Sequence, residues 1–576
     1  WLKQTSKSEA RPGAARLMAR RALHALALLG TAVGQRPGAL EQHPPLRLLS
    51  CSKVGGCAEE PSAITLDAQW RFLHNASQGS QRACFSGGKW DAQLCPDPRT
   101  CADRCALDGL SVADYAKTYG ISSYQGGVQL NYETKTPWGK NVGSRVYVME
   151  ALRGAEAFGD SYKVFKLKNR EIAFDVDVSS LPCGLNAALY LVEMDAAGSR
   201  GVGGNAAGAR YGTGYCDARC PHAVKFIKGE ANINGTYGAC CAEMDIWEAN
   251  AQASALTAHP CGPWGLTRCE GRGCGDSSKG ERYLGACDKD GCMYNPYQMG
   301  ATAFYGPGAT VDTTKPFTVV TQFITADGSD TGALSEIRRF YVQGGRKVPN
   351  ARSAIPGVKG DSITDRFCGS QKYFFKKLRD HGNMQGDYNQ FSAKGGLKQL
   401  GEALDRGMVL ALSLWDDPGD RMNWLDSTEP NYVPPTTPGA VRGACGVQAG
   451  QVSTVRSTSP GAFVRYTGLR YGELGSTTGP SASVILPHST TASVATGTAS
   501  VVSAVALATA EPHRAASFLP APPIVGLAAA AALAAVGALI MRFTGRRILA
   551  GGQYAPAHCE PVLAVERAER RELATI

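Results

Sequence analysis

The sequence is short of charged residues and of histidine, and it lacks nucleic-acid-binding motifs. Only 19% of its 576 residues are charged, and its nine histidines are scattered without the paired spacing of zinc sites, so we predict no metal. The net charge of +10 comes with arginines crowded into the first 25 and the last 35 residues. No DNA or RNA motif accompanies them, so we exclude nucleic acid as a partner. No internal repeat is present.

Cysteine, in contrast, is abundant. Eighteen of the nineteen cysteines lie between Cys51 and Cys445, and Cys559 stands alone near the end. An even number in one region favours a disulfide framework formed in an oxidising compartment over the alternative of metal binding. Glycosylation sequons that begin at Asn75 and Asn234 agree with secretion.

The two ends of the chain differ in composition from its centre. Residues 1–17 are interpreted as upstream or artefactual sequence. Residues 18–34 combine a basic start, a short apolar stretch and small residues, which predicts a signal peptide. Residues 35–476 form one globular domain in this interpretation. Residues 477–522 are rich in Ser, Thr, Ala and Pro, and predict a flexible linker without a core.

An uncharged apolar run follows the linker. Residues 523–541 are long enough to cross the hydrocarbon core of a bilayer, although a buried soluble helix is the alternative. The arginines that follow, Arg542, Arg546 and Arg547, predict that residues 542–576 lie in the cytoplasm. The prediction is a membrane anchor, by a C-terminal helix, that holds the domain at the extracellular face of the cell surface. Proteolysis in the linker would release it.

Short runs of alternating apolar and polar residues, separated by Gly and Pro turns, fill the globular region. They are 144–149, 171–178, 187–194, 318–324, 338–342 and 408–415. This pattern predicts antiparallel strands in an all-β sandwich or barrel.

Three carboxylates lie close together at 243–248. On a strand, Glu243 and Asp245 share a face, whereas Glu248 lies at an odd offset and would point away. A bulge after Asp245 would return Glu248 to the common face. Crowded carboxylates raise at least one pKa, as a general acid requires. A solvated acidic strand edge is the alternative.

The segment Cys240–Asn250 resembles the active-site signature of glycoside hydrolase family 7, the fungal-type cellobiohydrolases and endoglucanases. The similarity covers nearly all of residues 43–475. Further matching stretches are 174–178, 181–186, 211–217, 304–308, 413–417, 424–428 and 437–443. The resemblance implies a curved antiparallel β-sandwich, concanavalin- or jelly-roll-like, whose long disulfide-stapled loops form a groove or tunnel for cellulose.

The resemblance also implies catalytic roles. Glu243 resembles the nucleophile, Glu248 the general acid/base, Asp245 the carboxylate that tunes the nucleophile, and His259 the histidine beside them. The implied reaction is hydrolysis of β-1,4-glucosidic bonds with retention, with the two carboxyl groups about 5–5.5 Å apart. No cofactor is implied.

Further residues resemble substrate contacts of the family. Stacking platforms are implied for Trp70, Trp415 and Trp424, with Phe72 in place of the usual tunnel-entrance tryptophan. Product-side contacts are implied for Arg282, Asp290 and Arg442. Cleft-lining polar groups are implied for Asn186, Tyr190, Tyr215 and Asp217, for which a buried structural role is the alternative.

The sequence also departs from the family pattern. Residues 226–240 are fewer than in tunnel-type members, as in endoglucanases, whereas residues 274–287 keep the cellobiohydrolase length. Met293 stands where an acidic product-site residue is common, and Arg219 where a glutamine is typical. We therefore expect a cellobiohydrolase-like enzyme with a partly open tunnel and weaker product binding.

The family pattern implies nine disulfides here, because both cysteines of one usual bridge are absent together. One of the nine would join Cys183 to Cys445. The chain is expected to be a monomer. Two alternatives stay open: an endoglucanase or another β-glucan hydrolase or transglycosylase, and a non-catalytic glucan-binding protein of the cell surface.

Overall fold

The structure is a computed structural model of the chain. It describes residues 36–478 apart from 39, 78–79, 138, 152–157, 277–280 and 380–388. The predicted signal peptide, the linker beyond residue 478, the membrane helix, the cytoplasmic tail and Cys559 lie outside the described residues. Within the described part of the chain, no helix combines the length and the apolar character needed to cross a membrane.

Strands dominate the described residues. The strands are β1 (Arg36–Pro37), β2 (Pro45–Ser52), β3 (Gly56–Leu66), β4 (Leu73–Asn75), β5 (Phe85–Ser86), β6 (Lys89–Trp90), β7 (Cys105–Leu107), β8 (Ile121–Tyr124), β9 (Gly127–Asn131), β10 (Glu133–Thr136), β11 (Gly139–Val142), β12 (Ser144–Ala151), β13 (Phe158–Tyr162), β14 (Val164–Phe165), β15 (Arg170–Asp177), β16 (Leu185–Val192), β17 (Phe226–Ile227), β18 (Glu230–Ala231), β19 (Tyr237–Cys240), β20 (Glu243–Ala249), β21 (Ser254–His259), β22 (Thr267–Glu270), β23 (Cys292–Tyr294), β24 (Tyr305–Gly306), β25 (Val311–Asp312), β26 (Phe317–Thr325), β27 (Leu334–Gln343), β28 (Arg346–Pro349), β29 (Met408–Asp416) and β30 (Phe463–Glu473). Each of the six predicted strands is confirmed, with its ends shifted by a few residues.

Helices are fewer. They are α1 (Pro98–Arg104), α2 (Val112–Tyr119), α3 (Asp365–Phe374), α4 (Lys376–Arg379), α5 (Gln390–Ala393), α6 (Gly396–Arg406), α7 (Asn423–Asp426) and α8 (Val452–Thr458), with 3-10 turns at Val202–Gly204, Ala209–Tyr211, Gly271–Cys274 and Glu281–Leu284.

Two antiparallel sheets make up the β-sandwich, which confirms the predicted fold class. The first is called the cleft sheet because its strand β20 carries Glu243, Asp245 and Glu248, and it has the order β3–β12–β29–β16–β20–β21–β23. The outer sheet has the order β8–β9–β30–β15–β26–β27–β28. Strand β2 links them, because it pairs with β3 on one side and runs parallel to β30 on the other.

The alternation of side chains along β16 shows how the cleft sheet is built. Every residue of β16 is buried. Leu189 and Leu191 point into the core between the sheets, whereas Tyr190 belongs to a separate cluster on the opposite face. Successive strand residues alternate between faces, so one face closes the core and the other lines the cleft.

Trp247 joins the two sheets. Its side chain is fully buried, and its ring lies 6.2 Å from that of Phe174 and 5.8 Å from that of Phe317, both on the outer sheet. Burying an apolar side chain of this size stabilises the fold by about 1.5–3 kcal/mol. The strand that carries the three carboxylates is therefore held from behind by a large aromatic contact.

Disulfides join the loops to this sandwich. The pairs are Cys51–Cys57, Cys84–Cys105, Cys95–Cys101, Cys183–Cys445, Cys216–Cys241, Cys220–Cys240, Cys261–Cys287, Cys269–Cys274 and Cys292–Cys368. All eighteen clustered cysteines are paired, and the predicted bridge between Cys183 and Cys445 is present. It spans 262 residues.

Candidate active site

Glu243, Asp245 and Glu248 lie on the cleft face of β20, and each is between 5% and 9% exposed. The register of β20 against β21 shifts between Asp245 and Glu248, which pair with Thr257 and Ala255. Three steps along β20 thus match two along its neighbour. The bulge that the sequence required is present, and it turns both Ile246 and the residue after it into the core.

Asp245 lies at the centre of a hydrogen-bonded row. Its carboxylate is 3.0 Å from Nε2 of His259 and also hydrogen-bonds Glu243. Nδ1 of His259 lies 2.7 Å from the backbone carbonyl oxygen of Asp288. On the other side, the backbone N–H of Ala218 donates to Oε2 of Glu243 at 3.0 Å. These contacts fix Glu243 from two directions.

Glu248 has a different environment. The side-chain amide of Asn186, on the neighbouring strand β16, donates to Oε1 of Glu248 at 2.9 Å. The amide oxygen of Asn186 accepts a hydrogen bond from the backbone N–H of Ala249 at 3.1 Å. One amide therefore orients Glu248 and ties it to its own strand.

Burial separates these carboxyl groups from ordinary surface acids. Burial, and then the nearby charges of Asp245 and Asp217, raise the pKa of Glu243 well above its usual range. Burial, and then Glu248, do the same to the pKa of Asp245. Burial also raises the pKa of Glu248, against the hydrogen bond from Asn186, which lowers it. The site therefore retains protons at a pH where exposed carboxyls have lost them.

The cleft-lining polar residues form a network beside Glu243. The hydroxyl of Tyr215 donates to Asp217 at 2.6 Å and lies 3.2 Å from the hydroxyl of Tyr190. The guanidinium of Arg145 lies 3.2 Å from the centre of the Tyr215 ring. Three of the predicted positions, Tyr190, Tyr215 and Asp217, thus lie together in this network. Arg145, which was not predicted, also belongs to it.

Trp70 and Phe72 flank Arg71, which lies just beyond the end of β3. The indole N–H of Trp70 lies 3.4 Å from the carbonyl oxygen of Val142, and the Arg145 guanidinium is 5.5 Å from the indole ring. Trp70 is therefore connected to the polar network. Phe72 stacks on His74, with ring centres 5.5 Å apart.

Trp415 and Trp424 stack on each other with ring centres 6.4 Å apart. Trp415 lies near the end of β29 and Trp424 on α7. The indole N–H of Trp424 lies 3.4 Å from Oδ2 of Asp417. Both rings are partly exposed, which leaves aromatic faces available to a sugar ring.

The predicted product-side residues form two pairs. The guanidinium of Arg282 donates to Asp290 at 2.7 Å. Arg442 lies 3.6 Å from the sulfur of Met293, whose strand β23 pairs with β21. Asp290 follows Asp288 in the turn that also contacts His259, so this region adjoins the carboxylate row.

Sequence reasoning missed several residues of the site. Arg145, Asp288 and Asp417 each contact a predicted residue and were not among the predicted positions. For Arg145, a charged residue inside an otherwise apolar alternating strand was the available signal. Asp288 acts through its backbone carbonyl, which no side-chain pattern reports.

The carboxylate row also has the spacing of metal ligands. One potential ligand atom from each of Glu243, Asp245 and His259 lies within 4.8 Å of the others. The hydrogen bonds from Asp245 to both neighbours account for this spacing.

A β-sandwich with buried carboxyl groups on one strand and partly exposed tryptophans carries the groups that glycoside hydrolases use. A model of glycosyl hydrolase family 7 matches residues 37–478. The chain belongs to this family.

Solved structures place both modes of cellulose cleavage among its relatives. A cellobiohydrolase from Daphnia pulex is 44% identical, over 77% of this chain and 100% of that protein, with a TM-score of 0.71. The Humicola insolens endocellulase EGI is 37% identical, over 77% and 100%, with a TM-score of 0.64. A Melanocarpus albomyces cellobiohydrolase, solved with cellotetraose, is 37% identical, over 77% and 99%, with a TM-score of 0.66.

Proposed function

We propose that the protein hydrolyses β-1,4-glucosidic bonds of cellulose with retention of configuration. The observation that carries the proposal is that two carboxylates on one face of β20 have different hydrogen-bond partners. Glu243 accepts a backbone N–H and shares a hydrogen bond with Asp245, whereas Glu248 accepts a hydrogen bond from the neutral amide of Asn186. Two carboxyls in distinct environments suit distinct roles.

In the first step Glu248 protonates the glycosidic oxygen while Glu243 attacks the anomeric carbon as a carboxylate, with the proton that it shares with Asp245 held on Asp245. The attack forms a glycosyl-enzyme ester and releases the leaving sugar. In the second step Glu248 removes a proton from water, and the hydroxyl oxygen displaces Glu243. Asp245, held by His259, hydrogen-bonds Glu243 throughout. It thereby orients the nucleophile and takes up part of its charge change.

Within this reaction we favour a cellobiohydrolase-like mode with a partly open tunnel. The identity of 44% to the Daphnia pulex cellobiohydrolase supports this choice. The loop length at 274–287 supports it too, and the short segment 226–240 accounts for the partial opening. Product release tests the mode: a cellobiohydrolase releases mainly cellobiose, while an endoglucanase rapidly lowers the viscosity of carboxymethylcellulose.

The proposal includes a tether at the cell surface, argued from sequence alone. Residues 523–541 are uncharged and apolar, and arginines follow them. Expressed in a eukaryotic cell, the full chain is expected in the membrane fraction, resistant to alkaline carbonate and extracted by detergent. Recovery of full-length protein only in the medium would rule the tether out.

The deciding experiment compares the wild-type chain with Glu243→Gln on cellohexaose, and follows the anomers of the products by NMR. Cellobiose that appears first in the β form, and that is lost in the variant, is the expected result. Glu171→Gln is the matched control, because Glu171 is also buried but lies on the outer sheet. It should retain wild-type activity.

Other results would favour the remaining candidates. Products that appear first as the α anomer would exclude retention. A folded wild-type protein that binds cellohexaose without cleaving it would identify a non-catalytic glucan-binding protein. New, longer oligosaccharides at high substrate concentration would indicate transglycosylation.

A further inference from the structure

A buried ion pair lies directly behind the carboxylate row. The ammonium of Lys372, on α3, is 3.3 Å from the carboxylate of Asp288, and the two side chains are 0% and 1% exposed. Removing two charges from water is costly and is not needed to fill a core. The position of this pair therefore calls for an explanation.

Asp288 determines the proton position on His259. Its backbone carbonyl lies 2.7 Å from Nδ1 of the imidazole. A carbonyl only accepts hydrogen bonds, so Nδ1 carries a proton. Nε2, 3.0 Å from Asp245, then either accepts a proton from that carboxyl or donates one to the carboxylate. In both states His259 and Asp245 share one proton beside the nucleophile.

The turn from 287 to 292 is held at both ends. Cys287 is bridged to Cys261, two residues after His259, and Cys292 is bridged to Cys368 on α3. Lys372 is one helical turn beyond Cys368 on the same helix. Helix α3 is thus joined to the turn by a disulfide and by an ion pair.

Gly291 shows how closely this turn approaches the histidine. Its φ is +60°, and a Cβ atom there would lie 2.6 Å from Nδ1 of His259 and 2.4 Å from Thr257. Its N–H also lies 3.2 Å from the carbonyl oxygen of Asp288. Small displacements of the turn would therefore be transmitted to the imidazole.

We propose that Lys372 and Asp288 are positioning residues for the reaction. Their ion pair fixes the Asp288 carbonyl against Nδ1 of His259, so that Nε2 faces Asp245 in a single tautomer. Among the described residues, Lys394 and Arg282 also interact electrostatically with Asp288. Asp245 contacts His259, and Glu243 and Glu248 interact with it electrostatically. The inference rests on the proposed function for its kinetic part only.

The test uses the full chain with Lys372→Met, Lys372→Arg and the charge-balanced pair Lys372→Met with Asp288→Asn. On a soluble aryl cellobioside we expect kcat to fall about 10- to 100-fold in Lys372→Met and in the balanced pair, with KM within about twofold. Lys372→Arg should recover part of the loss. If Lys372→Met does not fold, the balanced pair supplies the answer, because it leaves no unpaired buried charge.

Lys168→Met is the control. It removes a similarly buried lysine from an ion pair with Asp405, away from the cleft. Wild-type kcat in the balanced pair, or the same loss of kcat in the Lys168 variant, would overturn the proposal.

A second readout does not depend on activity. Imidazole nitrogen resonances of protein labelled with ¹⁵N-histidine, assigned with His259→Gln, should show Nδ1 of His259 protonated in the wild type and mixed tautomers in the balanced pair. An inactive wild type with this tautomer would defeat the proposed function and leave the positioning role standing. An unchanged tautomer in the balanced pair would defeat the positioning role.

Discussion

Asn186 is the side chain through which β16 acts on Glu248. Its amide N–H favours the charged carboxylate and opposes the effect of burial on the pKa. In Asn186→Ala the pKa of Glu248 should rise, so the acid stays protonated to higher pH. We expect the alkaline limb of the kcat/KM profile to move up by about one pH unit.

Asn350→Ala is the matched control for this shift. Asn350 is also buried, and its amide donates to the carbonyl oxygen of Asp361 at 2.8 Å, outside the cleft. Its pH profile should match that of the wild type. An alkaline limb that stays in place in Asn186→Ala would show that Glu248 is not the acid.

Met293 places an uncharged side chain on the predicted product side. Its sulfur lies 3.6 Å from Arg442 and provides no charge. A carboxylate in this place would accept hydrogen bonds from sugar hydroxyls, so Met293→Asp should lower the inhibition constant of cellobiose about fivefold. Met293→Leu, which stays apolar, should leave it unchanged. Equal inhibition constants in all three proteins would place the product elsewhere.

At the scale of single elements, β20 was the most predictable. The odd offset between Glu243 and Glu248 requires an extra residue if both are to face the cleft, and the register shift supplies it. The local sequence pattern was sufficient to predict this bulge because Glu243 and Glu248 lie on the same strand.

The helices α3 to α6 were not predicted. Period-two alternation does not report it, although α6 carries Leu397, Leu400 and Leu404 at helical spacing, all fully buried. The pairing of Lys372 with Asp288 across 84 residues follows from tertiary packing. A charged residue in a helix is usually exposed, so the sequence around Lys372 does not indicate that its side chain is buried.

The bridge between Cys183 and Cys445 offers a test of how loops are stabilised. It closes 262 residues, whereas Cys51–Cys57 closes only six. Loop-closure entropy predicts that replacing both cysteines by alanine lowers the free energy of unfolding by about 5.6 kcal/mol for the long bridge and about 2 kcal/mol for the short one. Denaturant unfolding measures both. Equal losses would mean that native-state contacts, rather than loop length, set the stabilisation.

At the scale of the whole molecule, buried acids should make the fold more stable at mildly acidic pH. Burial raises the pKa of Asp426 to about 6 from an ordinary value of 3.8. The folded chain therefore holds a proton that the unfolded chain has lost, and stability falls as the pH rises between these values. The raised pKa values of the three cleft carboxylates act in the same direction.

Calorimetry at pH 5 and pH 7.5 measures this dependence. We expect a higher Tm at pH 5, although His43 opposes the trend because burial lowers its pKa to about 4. Asp426→Asn should remove about 1.4 kcal/mol of the difference between these two pH values. Its amide oxygen can still accept from Gly184 and Asn250, which both bind Oδ2. An unchanged pH dependence in this variant would contradict the assignment.

The strands β2 and β30, near the two ends of the described chain, run side by side and parallel, with Leu49 opposite Arg470 and Cys51 opposite Gly472. Strand β30 is also flanked by β15 and β9. A force that pulls residues 45 and 473 apart therefore acts along the strands in opposite directions. The ladder bonds bear that load together in shear instead of opening one at a time. The sandwich is thus built to resist tension applied at residues 45 and 473.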